Sequence, residues 1–247
     1  MPRLNELGQP IGSALPGWAP REPPSHEPMI GRCVRLERAE VRRHAEDLFR
    51  ANAQDARGSL WTYMSYGPFA DQATYRDWMA ATCIASDPLF FAIIDLARGV
   101  AVGLASYLRI DPANGCIEVG HLAFSPLLQR TAAATEAMYL MMQRVFAAGY
   151  RRYEWKCDAL NAASRAAAER LGFYYEGLFR QATVVKARNR DTAWYSILDG
   201  EWPLIDAAFR AWLAPGNFDS SGRQRISLSH LTRQARRTLA GAPALGG

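Results

Sequence analysis

Residues 117–124 form an apolar run interrupted by Glu118 and His121, and the run ends in Phe124-Ser125-Pro126. A carboxylate and an imidazole are side chains that move protons. On an otherwise apolar strand beside a cleft, Glu118 is the first candidate for a general base, acting directly or through a water, and His121 is the second. Period two sets them on opposite faces of a regular strand, and a bulge would change that. Next come Gln129-Arg130-Thr131-Ala132-Ala133-Ala134-Thr135, followed by Met138, Met141, Met142, Val145 and Phe146 at helical spacing. The stretch reads as strand, tight loop and helix. The first turn of such a helix carries free N–H groups and the positive end of its dipole, and small side chains at 132–134 let an anion approach that backbone. The matching chemistry is a pyrophosphate cradle; the competing reading is a small-residue start that serves close packing alone.

A second pattern follows at once. Residues 150–158 alternate, with Tyr153, Trp155 and Cys157 on one face and Arg152, Glu154 and Lys156 on the other, which is a strand by period. Asn161 then stands as an N-cap, Ser164 lies three residues on, and Leu171-Gly172-Phe173 closes a short helix with glycine at its C′ position. Taken together, the two stretches resemble the GNAT-type N-acetyltransferases. Gln129, Ala132 and Ala134 fall on the family's [Gln/Arg]-x-x-Gly-x-[Gly/Ala] loop, and Asn161-Ala162-Ala163-Ser164 through Phe173 on its second signature. The resemblance covers roughly residues 32–203, and the branch it is most similar to is the ribosomal-protein N-terminal acetyltransferase-like group. Ala132 departs from the expected glycine, and alanine resists a positive φ.

The resemblance implies a mixed α/β GNAT acyl-CoA N-acyltransferase fold, a twisted mixed sheet with a central βαβ unit and flanking helices. It implies acetyl-CoA as co-substrate and a primary amine as acceptor. Leu122, Ala123 and Phe124 would line a gap between splayed strands, where main-chain groups meet the pantetheine arm and an N–H can face the thioester oxygen. Gln129, Arg130, Thr131, Ala132, Ala133, Ala134 and Thr135 would hold the pyrophosphate. Asn161 would bond the pantetheine, set the turn, or do both. Many family members carry Tyr where this chain has Ala168, so the proton for the leaving sulfur falls to Ser164, the nearest hydroxyl. Cys157 lies on the apolar face of its strand and reads as packing rather than as an acyl carrier.

These residues need elements to position them. Residues 32–37 alternate as a first strand, 39–51 and 71–86 read as helices, and Tyr75, Trp78, Met79 and Ile84 are the expected buried positions of the second. Between the helices, residues 60–69 gather Trp61, Tyr63, Tyr66 and Phe69. In the family fold this connection borders the acceptor, so Trp61, Tyr63 and Tyr66 are candidates for an acceptor wall; the alternative is a loop folded onto the core. Residues 89–95 and 100–109 read as strands, 111–115 as a hairpin turn, and 116–124 as the next strand. The helix after residue 131 joins two parallel strands. Strands at 173–186 and 192–198 are expected to pair across a turn at 187–191, and 202–213 to form a closing helix.

Composition sets the remaining limits. The chain has 247 residues, 49% of them apolar, a net charge of +5, four cysteines and four histidines. The scattered cysteines form no CxxC pair and read as reduced thiols, and no metal site is expected. No run is long enough to span a bilayer, and no secretory leader is evident, so a cytoplasmic protein without a membrane partner is expected. The expected organisation is an extended arm over residues 1–29, an acetyltransferase domain over 30–214, and a basic tail over 215–247. Leu7, Ile11, Leu15 and Trp18 make the arm apolar enough to dock, near the substrate cleft or on a partner subunit. Residues 227–239 read as a basic amphipathic helix for packing, for a homodimer contact or for an acidic polymer. Nucleic acid is not an expected partner of the domain itself. Two alternatives to an N-acetyltransferase stay open: a non-catalytic acyl-CoA sensor, and an RNA- or ribosome-associated protein acting through the basic tail.

Overall fold

The structure, a computed structural model, describes residues 3–241; the first two positions of the expected arm and the last six of the expected tail lie outside the described residues. A short ribbon of β1 (Arg3–Leu4) and β2 (Pro10–Ile11) precedes the body. The body runs β3 (Met29–Ile30), β4 (Val34–Arg38), α1 (Val41–Asn52), α2 (Gln72–Thr82), β5 (Leu89–Asp95), β6 (Val100–Asp111), β7 (Cys116–Phe124), α3 (Ala132–Ala147), β8 (Arg152–Asp158), α4 (Ala162–Arg170), β9 (Tyr174–Val185), β10 (Arg188–Leu198), α5 (Trp202–Leu213) and α6 (Leu228–Gly241). One sheet holds β3-β4-β5-β6-β7-β8-β10-β9 in that order. Among the described residues β7 and β8 are its single parallel pair, joined by the α3 crossover. This is the mixed α/β sheet with a central βαβ unit that the sequence calls for.

Alternation along β5 divides the molecule into two cores. Leu89, Phe91 and Ile93 face the larger one, shared with α3 and α5, while Phe90, Ala92 and Ile94 face a smaller one under α1 and α2. The methionines of α3 are core: Met138, Met141 and Met142 are buried. Phe146 stacks on Trp202 at 4.7 Å and Tyr139 on Phe209 at 5.4 Å, which fastens α3 to α5. The first turns of α3 are also tied to the far side of the sheet. The buried Glu136 carboxylate accepts the N–H groups of Arg32 at 2.9 Å, Cys33 at 2.6 Å and Val34 at 3.1 Å.

Four expectations need correction. Leu7, Ile11 and Leu15 of the arm are exposed and do not dock at this chain's own cleft. Trp18 does dock, and at the β6–β7 turn rather than at the Phe124 end of β7: its Nε1 donates to Ala113 O at 3.0 Å, and its ring lies 2.5 Å from where a Cβ on Gly115 would be. Gly115 also has φ +60°, so two constraints exclude a side chain there. Ile84 is exposed because α2 stops at Thr82 and Cys83 caps it. The β9–β10 turn falls at Lys186-Ala187, both left-handed at φ +48° and +58°, so residues 188–191 extend β10 instead of turning. Lys186 Nζ compensates by donating to Trp61 O at 2.9 Å and Gly67 O at 2.6 Å.

The helix expected at 227–239 is present as α6, and it packs on the body. Leu228 and Ala235 join the larger core, Arg236 pairs with Glu201 at 2.6 Å, and Arg236 Nε donates to Gly172 O at 2.7 Å.

Replacing Glu136 by Ala leaves three main-chain N–H groups without their acceptor. The expected loss is about 2–4 kcal/mol of unfolding free energy, read from urea denaturation; an unchanged midpoint would remove this anchor from the account of how α3 is held.

Candidate active site

The ladder between β7 and β8 runs from Cys116–Arg152 to Val119–Trp155 and stops. Both strands continue, β7 to Phe124 against β6 and β8 to Asp158 against β10. The cause is a bulge in β7. Its partners on β6 shift between Ser106–Gly120 and Leu104–Ala123, which leaves one extra residue on β7, and His121 takes φ +51°. A bulge bends its strand and breaks pairing locally. Here it opens a gap walled by the main chain of Gly120, His121, Leu122, Ala123 and Phe124 on one side and of Lys156, Cys157 and Asp158 on the other.

The same bulge removes the opposite-face arrangement of Glu118 and His121. Ile117 and Val119 point into the larger core, so Glu118 faces the α1/α2 side. The extra residue turns His121 to that side too, where its ring lies 5.7 Å from Tyr66 and 4.9 Å from Phe90. His121 Nδ1 is 3.2 Å from the Tyr66 hydroxyl. Burial, and next the charge of Arg109, push His121 down to about 4. A neutral imidazole of that kind is a poor proton acceptor at pH 7.

Glu118 is buried, yet its setting is ionic. Its Oε2 accepts from Arg109 Nη1 at 2.6 Å and is 2.8 Å from Lys156 Nζ. Lys156 Nζ is also 2.7 Å from Glu154 Oε2 and 3.7 Å from the centre of the Trp194 ring. The sequence reading missed both cations. The available signal was Lys156 and Glu154 on the outward face of β8, with Glu154 directly across from Glu118.

Past the gap, the β7–α3 loop is braced from inside. Ser125 Oγ donates to Val102 O at 2.6 Å, and Gln129 Nε2 donates to Phe124 O at 2.7 Å. Thr131 caps α3: its Oγ1 accepts from Ala134 N at 3.1 Å. Among the described residues, the N–H groups of Arg130, Ala132 and Ala133 have no partner. Position 132 is helical, and the left-handed residue is Arg130, at φ +60°. Alanine in place of glycine therefore carries no backbone penalty at 132. Thr135 is buried and accepts both Nη atoms of Arg170 at 3.1 Å. Arg170 is half-buried over Trp212 and has no carboxylate partner among the described residues; the sequence reading passed over it. Free N–H groups and an unpaired cation at one helix start are the donor set a diphosphate needs.

On the α4 side, Asn161 Oδ1 accepts from Ser164 N at 3.0 Å, as an ordinary N-cap does. Ser164 Oγ accepts from Trp155 Nε1 at 3.1 Å. Burial pushes the Cys157 thiol up, which fits packing and not a nucleophile. Ala168 is fully buried. Of the expected acceptor wall, Trp61 is buried in the smaller core, so it cannot line an open surface. Tyr66 packs between His121 and Trp78, and Tyr63 reaches across to β8–α4, where its hydroxyl donates to Leu160 O at 3.1 Å. Arg188 Nη2, donating to Thr62 O at 2.8 Å, joins Lys186 in holding this loop. No described helix is long and apolar enough to cross a membrane.

Comparison with known proteins adds a family. The acetyltransferase (GNAT) domain profile matches residues 34–174. A GCN5-related N-acetyltransferase from Brucella melitensis is 48% identical, and the match covers 89% of this chain and 100% of that one at a TM-score of 0.87. A probable acetyltransferase of the GNAT family from Chromobacterium violaceum ATCC 12472 is 43% identical over 79% of this chain and 98% of its own, with a TM-score of 0.74. The ribosomal L7/L12 α-N-protein acetyltransferase RimL, solved with coenzyme A, shares the fold at 20% identity, over 70% of this chain and 98% of its own, with a TM-score of 0.60. No curated protein matches the sequence.

The His121 setting gives a pH-dependent prediction. In the unfolded chain the imidazole takes its proton near pH 6.5, whereas in the fold it stays neutral down to about 4. Between those values the unfolded state holds more protons, so this contribution is whole above pH 6.5 and is lost as the pH falls toward 4. His121→Asn tolerates the left-handed backbone and does not titrate. The stability of the wild type relative to this variant is expected to drop by about 2–3 kcal/mol between pH 7 and 4.5; parallel stability curves would rule out a neutral buried imidazole.

Proposed function

The chain belongs to the GNAT acetyltransferase family, which carries out acyl-CoA-dependent acetylation, and we propose that it acetylates a primary amine, a peptide N-terminus or a small-molecule amine, by direct attack with both substrates bound. The observation that carries this reading is the end of the β7–β8 ladder at Val119–Trp155, which opens main-chain groups to a ligand beside a helix start with free N–H groups.

Acetyl-CoA, when bound, supplies an acetyl group activated as a thioester. In this reading the N–H groups of Arg130, Ala132 and Ala133, with the positive end of α3, hold its diphosphate, and Arg170 adds a cation close by. Gln129 acts differently from the expectation drawn from the loop pattern: committed to Phe124 O, it stiffens the loop. The edges of Leu122, Ala123 and Phe124 supply the wall for the pantetheine arm. Glu118 removes the proton of the incoming ammonium, through Oε1 and directly or by a water, because Oε2 is already taken by two cations. Ser164 Oγ accepts from Trp155, so its own hydrogen is free to donate, in the reaction toward the leaving sulfur. Tyr63 and Tyr66 border the acceptor side.

One observation favours the sensor alternative, namely Ala168 at the position where many relatives carry Tyr. A thiol-release assay with acetyl-CoA and a panel of amines separates the two: an enzyme releases coenzyme A with at least one amine, and a sensor binds acetyl-CoA and releases none. Glu118→Gln is expected to lower turnover by about 10²-fold or more while acetyl-CoA affinity, measured by calorimetry, stays within about twofold of wild type. Ala132→Glu is expected to weaken acetyl-CoA binding by about tenfold or more, through clash and repulsion at the helix start. Full affinity in Ala132→Glu would move the phosphate site elsewhere.

A further inference from the structure

The Glu118 carboxylate does not lie loose in the gap. Its Oε2 is held from two sides, by Arg109 from β6 and by Lys156 from β8. Its Oε1 has no partner among the described residues, and it lies 3.7 Å from where a Cβ on Gly120 would stand. Gly120 is the first residue of β7 past the last ladder pair. The uncommitted oxygen of Glu118 therefore lies beside Gly120 at the start of the opening, where Leu108 packs against the glycine.

The two cations are not equivalent. The Arg109 side chain is 62% exposed, so water and salt screen it, while that of Lys156 is 8% exposed. Lys156 has its own second tether in Glu154, whose Oε1 is 2.6 Å from Arg152, and Trp194 covers it. An exposed cation can swing away at little cost, whereas a buried ammonium between two carboxylates cannot.

We propose that Lys156 is the positioning residue for Glu118: clamped between Glu118 and Glu154 beneath Trp194, it holds Oε2 so that Oε1 is the oxygen presented to the acceptor amine. This rests on Glu118 being the base in the reading above. The Lys156 ammonium makes no bond and loses none. It moves no proton in the reaction; it fixes where the carboxylate stands. The charged groups facing Glu118 are Arg109 from β6 and Lys156 and Glu154 from β8, with Arg152 behind Glu154 and Glu176 of β9 behind Arg152. His121, on the same face of β7, is neutral at the pH of the assay.

The test compares full-length wild type, Lys156→Arg, the pair Glu154→Gln with Lys156→Met, and Glu118→Gln, using acetyl-CoA and whichever amine of the panel supports turnover. The paired variant removes one anion together with the cation, so it does not leave two facing carboxylates in the core. It is expected to lower kcat by about 10–100-fold. Acetyl-CoA affinity is expected to stay within about twofold. Lys156→Arg keeps the charge at this place and should keep kcat within about threefold of wild type. If the paired variant lowers only the melting temperature and leaves kcat unchanged, or if Lys156→Arg loses as much kcat as the paired variant, Lys156 is a structural ion pair and the inference fails, even with Glu118→Gln inactive. If Glu118→Gln keeps wild-type turnover, the assignment of the base itself falls, and the inference falls with it.

Discussion

An interior strand needs two neighbours to satisfy its main chain, and β7 gives one of them up after Val119. Each buried main-chain group without a partner costs about 1–3 kcal/mol, so an opening of this kind closes unless something holds it. What holds it is the single extra residue at His121. Its imidazole is wedged among Tyr66 and Phe90, and the neutral form that burial imposes lets it pack there as an aromatic. The packing of the smaller core under α1 and α2 thereby decides whether β7 can pair with β8. The aromatic segment at 60–69 belongs to that same core, and Lys186 and Arg188 fasten it to the β9–β10 hairpin. The aromatic side of the gap and the gap itself are thus two consequences of one local irregularity.

How much of this could be read from the sequence follows from the range of each interaction. The caps of α4 were legible because they are local: Asn161 bonds the N–H group three residues on, and Gly172 has the left-handed φ its C′ position calls for. The parallel pair was legible because an apolar helix between two strands admits few topologies. The bulge was not legible, since nothing in Gly120-His121-Leu122 marks an extra residue until the β6 register is known. The β9–β10 turn was misplaced for a related reason. Turn chemistry favours glycine or asparagine at left-handed positions, and Lys186-Ala187 offers neither; distant carbonyls of Trp61 and Gly67 hold it. Ala132 looked like a defect only while the left-handed residue was assigned to it and not to Arg130.

The ionic face of the sheet was legible by period and illegible by partner. Alternation set Glu154 and Lys156 outward, but the ladder was needed to bring Glu118 opposite Glu154. Two carboxylates facing each other across a parallel pair repel, and Lys156 between them turns the repulsion into a clamp. The clamp sits one rung before the end of the ladder, so the charge beside Glu118 and the bulge that opens the gap lie within three residues along β7.

The chain's own amines bear on what the gap can receive. Lysine occurs only at 156 and 186. Both ammonium groups are spent as donors, Lys156 to two carboxylates and Lys186 to two main-chain carbonyls. An amine attacks an acyl carbon with its nitrogen lone pair, and an ammonium held by acceptor oxygens has none to offer until it gives up a proton and those bonds. Nothing on this side of the sheet offers a free lysine amine, while the uncommitted oxygen beside Gly120 is a proton acceptor without a donor.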